Sequence, residues 1–166
     1  MKSRSVCAKL GLAALVGVIF VNSAQAGDRH AGYYYPIPAT SETYNARAEA
    51  LEPGAREDSR TRRVLFVTEI TNQMLARPYS PPFAMFAKGE YAEKLIITSL
   101  HEDGYNTLYR MRGLLAMLTA YSRATAFFEA QRVQDKYTFL DLLKMLDFAQ
   151  VTVTDGDNFA HRIYIE

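Results

Sequence analysis

Gln150-Val151-Thr152-Val153-Thr154-Asp155-Gly156-Asp157-Asn158-Phe159-Ala160-His161-Arg162-Ile163-Tyr164-Ile165-Glu166 closes the chain, and the fold class turns on how it is read. Apolar and polar residues alternate on both sides of an Asp-Gly-Asp-Asn turn, the pattern of two antiparallel strands with one buried face. Val151 and Val153 in the first strand, and Phe159, Ile163 and Ile165 in the second, are all odd-numbered. Residues paired across strands share a face, so the numbers in each pair must add to an even total. That places Val153 opposite Phe159, Val151 opposite His161, and a loop over 154–158. A loop one residue shorter would turn one strand inside out. His161 is then expected to point inward with the apolar set.

Upstream of the hairpin the period changes from two to 3.6. Phe139, Leu142, Leu143 and Leu146 form a core stripe on a helix running to about Phe148, and Thr138 with Asp141 resembles a capping box. Residues 127–133 are ambiguous between helix and loop. Asn106 or Thr107 can cap a long helix reaching about Arg123, with Leu108, Met111, Leu115 and Leu118 at helical spacing. Tyr109, Gly113, Ala116 and Ala120 give that helix a face of mostly small residues, which predicts a close neighbour. Phe83–Ala87 and Lys94–Leu100 read as strands about the turn Lys88-Gly89-Glu90, while Val64-Leu65-Phe66-Val67, apolar on both parities, reads as a central strand. The resulting order, β-β-β-α-α-β-β, predicts an α+β fold. Its core is a mostly antiparallel sheet of about five strands, with two main helices packed on one face.

The N-terminus has a different purpose. Lys2, Arg4 and Lys9 precede an uncharged apolar-or-glycine run from Leu10 to Val21, and Ala24-Gln25-Ala26 offers small residues for a signal peptidase. The run is too short to span a bilayer core of roughly 30 Å as a helix. Residues 1–26 are therefore expected to be a signal peptide cleaved after Ala26, which makes the protein periplasmic and leaves no transmembrane segment. Residues 27–62, with Tyr33-Tyr34-Tyr35-Pro36-Ile37-Pro38 and a short helix expected over Ser41–Leu51, read as an N-terminal strap. Residues 63–166 read as the compact domain.

Cleavage changes the charge balance. The leader holds three of the nineteen basic residues and none of the eighteen acidic ones, so the mature chain carries sixteen against eighteen, a formal charge of −2. Without a basic excess there is no electrostatic drive toward phosphate, and nucleic acid is excluded as a partner. The single cysteine, Cys7, lies in the leader. Thiol catalysis, cysteine-attached haem and cysteine-bound zinc are excluded with it, and stability must come from a core.

Candidate chemistry is sparse. His161 in an apolar wall could act as general base or metal ligand, with Asp155 and Asp157 in the adjoining loop to orient it or share an ion. The plainer reading is a core histidine beside ordinary turn residues. His101, followed by Glu102 and Asp103, could meet His161 if their strands end on one edge of the sheet. Tyr34, flanked by Tyr33 and Tyr35 and close to Arg29 and His30, could stack on a sugar or peptide, or simply fasten the strap. The sequence contains no G-x-S-x-G, Walker A, G-x-G-x-x-G or H-E-x-x-H motif. Two classes of function remain. One is a binding or accessory module for an envelope protein partner. The other is a metal-binding protein or hydrolase centred on His161 and the Asp155–Asp157 loop.

Four stretches carry a resemblance: Asp28-Arg29-His30-Ala31-Gly32-Tyr33-Tyr34-Tyr35-Pro36, Phe86-Ala87-Lys88-Gly89, Asn106-Thr107-Leu108-Tyr109-Arg110 and Asp155-Gly156-Asp157-Asn158-Phe159-Ala160-His161. Together they resemble a family of small exported bacterial proteins of unassigned activity. Some members are labelled molybdopterin-guanine dinucleotide biosynthesis protein A. That label implies molybdenum cofactor biosynthesis, the transfer of GMP from GTP to molybdopterin. The reaction uses a glycine-rich loop of the L-A-G-G-x-S-x-R-M-G kind. The comparable glycines here, Gly11 and Gly17, fall within the leader.

Overall fold

The computed structural model describes residues 38–51, 56–101, 104–133 and 135–166. The expected leader, His30, Tyr34 and the Glu102-Asp103 pair lie outside them. Five strands form one sheet in the order β1-β5-β4-β3-β2, comprising β1 (Thr40–Tyr44), β2 (Phe83–Lys88), β3 (Lys94–Ser99), β4 (Gln150–Thr154) and β5 (Ala160–Ile165). Helices α1 (Arg56–Leu75), α2 (Leu108–Arg123), α3 (Ala126–Ala130) and α4 (Phe139–Met145) complete the described elements. The α+β class stands.

The sheet is mixed, not mostly antiparallel. The hairpins β2–β3 and β4–β5 are antiparallel, whereas β1–β5 and β3–β4 pair in parallel. A parallel neighbour needs a crossover, and residues 100–149 supply one by carrying α2, α3 and α4 back across the sheet.

Two assignments change with it. The expected strand at Val64–Val67 is the middle of helix α1. Its inward stripe is Ser59, Arg63, Phe66, Val67, Ile70 and Met74, a clear 3.6-residue period, while Val64 and Leu65 face outward at 40% and 61% exposure. The stripe includes two polar residues, and the Arg63 guanidinium explains why a charge can lie in it. It donates to the Tyr91, Leu146 and Asp147 carbonyls at 3.0, 3.1 and 2.6 Å, closing the C-terminal end of α4. The expected short helix over Ser41–Leu51 is strand β1 followed by an irregular run. Thr40, Thr43 and Tyr44 suit a strand, and the otherwise unpaired edge of β5 offers a ladder that outweighs weak local helix preference.

The closing hairpin keeps the predicted faces but slides by two residues. Val153 pairs with His161 and Val151 with Ile163, and the loop runs over 155–159. The turn decides this. Asp155 Oδ1 accepts the Asp157 and Phe159 N–H groups at 2.9 and 2.8 Å, and the Asp155 N–H returns to the Phe159 carbonyl. Gly156 takes φ +87°, a conformation that favours glycine.

Odd-numbered strand residues, among them Leu95, Ile97, Val151, Val153 and Ile163, build one core with Phe66, Ile70, Leu114, Leu118 and Leu143 of the helices. Even-numbered residues of β2 to β5 face the other way, and the core cluster draws on none of them. In β1 the even-numbered residues share the core side, with Thr40 opposite His161 and Tyr44 packed against the core. α2 buries Met111, Leu114, Leu118 and Ser122, with Thr107 as its N-cap, and leaves the predicted inward Leu108 at 43% exposure. The small-residue face predicted a close neighbour, but a Cβ built on Gly113 meets nothing within 4 Å. That face is open among the described residues.

Candidate functional site

His161 is buried on the core side of β5 at its N-terminal end, 3% exposed. Parallel pairing sets Thr40 directly opposite it and Glu42 one step along the same face. Its Nδ1 lies 2.7 Å from the Thr40 hydroxyl. Nε2 makes no hydrogen bond, although Glu42 Oε1 is 3.3 Å away and half-exposed. Strand β1 therefore provides both polar neighbours of the ring. The sequence marks neither Thr40 nor Glu42 as a neighbour of His161, because residues 41–51 read there as a short helix and not as a strand beside β5.

The loop aspartates are occupied elsewhere. Asp155 spends its carboxylate on the turn, and exposed Asp157 meets the Asn158 side-chain amide. His101 is exposed just beyond β3, on the same end of the sheet as the β4–β5 loop. Its N–H and carbonyl are held by Ser99 Oγ in a local turn. The predicted constellation of His161, Asp155, Asp157 and His101 thus shares one end of the sheet without joining hands. No group of three histidine, aspartate or glutamate side chains among the described residues is arranged to hold a metal.

A second polar cluster was only half legible. Asp141, fully buried at the start of α4, accepts the Arg47 N–H at 2.8 Å, the Arg47 guanidinium at 3.0 Å and the Thr138 N–H at 2.8 Å. The Thr138 hydroxyl (2.9 Å) and the Tyr44 hydroxyl (3.2 Å) complete the set. Burial alone would raise its pKa. The donated hydrogen bonds, led by the Arg47 and Thr138 N–H groups, outweigh that and hold the carboxyl below its usual range. The cluster clasps the chain leaving β1 onto α4. Its chemistry is structural, since every carboxylate oxygen faces a donor of the chain itself.

The even-numbered face of the sheet presents something else. Ala84, Phe86, Lys88, Ile96, Thr98 and Leu100 line a groove of about 360 Å³ across β2 and β3, with Phe86 47% and Leu100 55% exposed. Beside it, Thr152 and Arg162 pair across β4 and β5. Thr152 Oγ1 and Arg162 Nε are both buried and make no hydrogen bond among the described residues. No described helix is long and apolar enough to cross a membrane. No family model, curated protein or solved structure matches the chain.

Proposed function

We propose that the protein is exported to the periplasm and acts there as a non-enzymatic binding or accessory module for an envelope protein. The observation that carries this reading is the apolar groove on the even-numbered sheet face, bordered by exposed Phe86 and Leu100. Exposed aromatic and aliphatic side chains around a concave strip are the surface an apolar segment needs. The groove borders β2, an edge strand, so an extended segment can add backbone hydrogen bonds to β2 while its alternate side chains enter the groove. The competing reading, a hydrolase or metal site at His161, is weakened by a ring that lies inside the core against Thr40 and by aspartates held in their own turn. GMP transfer lacks its glycine-rich loop in the mature chain, and we expect no GTP binding.

The test is to pan a phage-displayed random peptide library against the mature protein and against its Phe86→Asp variant. Sequences with apolar or aromatic residues at alternate positions should be enriched on the first and lost on the second. No enrichment, or equal enrichment on both, overturns the reading. Phe86 is half-exposed, so the variant should keep the fold.

A further inference from the structure

We infer that the groove on the even-numbered face takes an extended acidic segment, whose aspartate or glutamate lies two positions from an apolar pair and meets Lys88 and Lys94. The inference rests on the reading of that face as the binding surface and names the chemistry of its partner.

The pairing of β2 with β3 sorts the groove into rows. Ala84 stands opposite Thr98, Phe86 opposite Ile96 and Lys88 opposite Lys94. Leu95 and Ile97 of β3 are wholly buried in the core, so their even-numbered neighbours project to the other face. Leu100 continues that parity beyond the first row. Ala84 and Thr98 are small, and half-exposed Phe86 and Leu100 stand on either side of them, which leaves room for one bulky apolar side chain. The strip is thus apolar along two rows and cationic in the third.

The third row is what a purely apolar partner leaves unexplained. Like charges directly opposite one another on neighbouring strands repel and weaken the pairing. The row as paired, Lys88, Lys94, Gln150 and Tyr164, holds two cations and no carboxylate. The acidic side chains nearest in sequence, Glu90 and Glu93, belong to the turn beyond this last pair. Glu93 accepts the Tyr91 N–H at 3.0 Å within that turn. A carboxylate laid over the row relieves the repulsion and accepts charge-assisted hydrogen bonds.

An added strand supplies that carboxylate at the right place. Its alternate side chains share one face, and it rises about 3.3 Å per residue. A segment laid beside β2 therefore sets three alternate side chains over the three rows, about 13 Å from first to last. The bulky residue falls by Ala84 and Thr98, a second apolar residue by Phe86 and Ile96, and the acid by Lys88 and Lys94. A segment of opposite direction presents the same three in reverse order.

The probes are the synthetic peptide Ser-Phe-Thr-Val-Thr-Glu-Ser and its reverse, each also made with Gln in place of Glu. Acetylated and amidated ends remove the terminal charges. In calorimetric titration of the mature protein, the Glu form of the favoured order should bind about fivefold more tightly than its Gln form, the size of exposed ion contacts. The margin should shrink in about 1 M salt. It should vanish when Lys88→Gln is combined with Lys94→Gln. Glu forms that bind but no more tightly than their Gln forms, or a margin that survives in the double variant, overturn the inference. The first comparison uses the unsubstituted protein, so it decides alone if the variant fails to fold. Should neither probe bind, sequences enriched by panning decide. An acidic residue at that spacing, lost on the double variant, upholds the inference, and its absence refutes the partner's chemistry alone. No binder of either kind refutes the binding function as well.

Discussion

At the scale of single residues, His161 shows how a chemically suggestive side chain is absorbed by a fold. Its imidazole fills core space beside Ile163 and fastens the first strand through the Thr40 hydroxyl at 2.7 Å. His161→Ala removes that bond and leaves a cavity, and we predict a loss of about 2 kcal/mol in urea unfolding. Thr40→Val should cost about 1 kcal/mol, since it removes the bond and keeps the volume. Peptide binding at the opposite sheet face should survive both, and its loss with the fold intact would make His161 a functional group. Asp141 gives the second residue-scale prediction. Its carboxyl is held below the usual range, so its contribution is present above the unfolded pKa of about 3.9 and is lost as pH falls through the folded value. Asp141→Asn should therefore destabilise at pH 7 by about 2 kcal/mol, and the gap to the unsubstituted protein should narrow below pH ~4. Thermal unfolding at the two pH values checks this, and a gap independent of pH would contradict it. The inward placement of His161 was legible because face alternation survives any even slip of register. Its neighbours were not, because they come from a strand 121 residues distant in sequence.

At the scale of elements, the helices with periodic stripes and caps were readable from sequence, and those with polar stripes were not. Thr107 and Thr138 begin α2 and α4 as their local chemistry requires. α1 hid because four consecutive apolar residues look like a buried strand, while two of its inward positions are Ser59 and Arg63. Only the tertiary partner of Arg63, the carbonyls ending α4, reveals why that charge is buried. The parallel pairings were equally hidden, since they depend on where a crossover returns. Gly113 supplies the element-scale prediction. It lies on the exposed side of α2, with nothing within 4 Å of an added Cβ. Gly113→Ala should stabilise by roughly 0.5–1 kcal/mol through helix propensity, read as a raised Tm. A lowered Tm would mean that another segment packs there.

At the scale of the whole molecule, the two faces of the sheet have separate tasks. The odd-numbered face carries the helices and with them the main core. Among the described residues, the even-numbered face carries an apolar groove, two buried polar atoms without partners and an unpaired edge at β2. Division of this kind suits a protein that presents a surface, and it leaves His161, Asp141 and Asp155 to hold the fold. The central claim that we propose is an exported domain that works by its surface. Native mass spectrometry of the protein purified from the periplasm without chelator tests it most directly. The account predicts the mass of a chain beginning at Gly27, with no metal ion or nucleotide attached. A retained leader, or a stoichiometric metal or nucleotide on the folded protein, would contradict it.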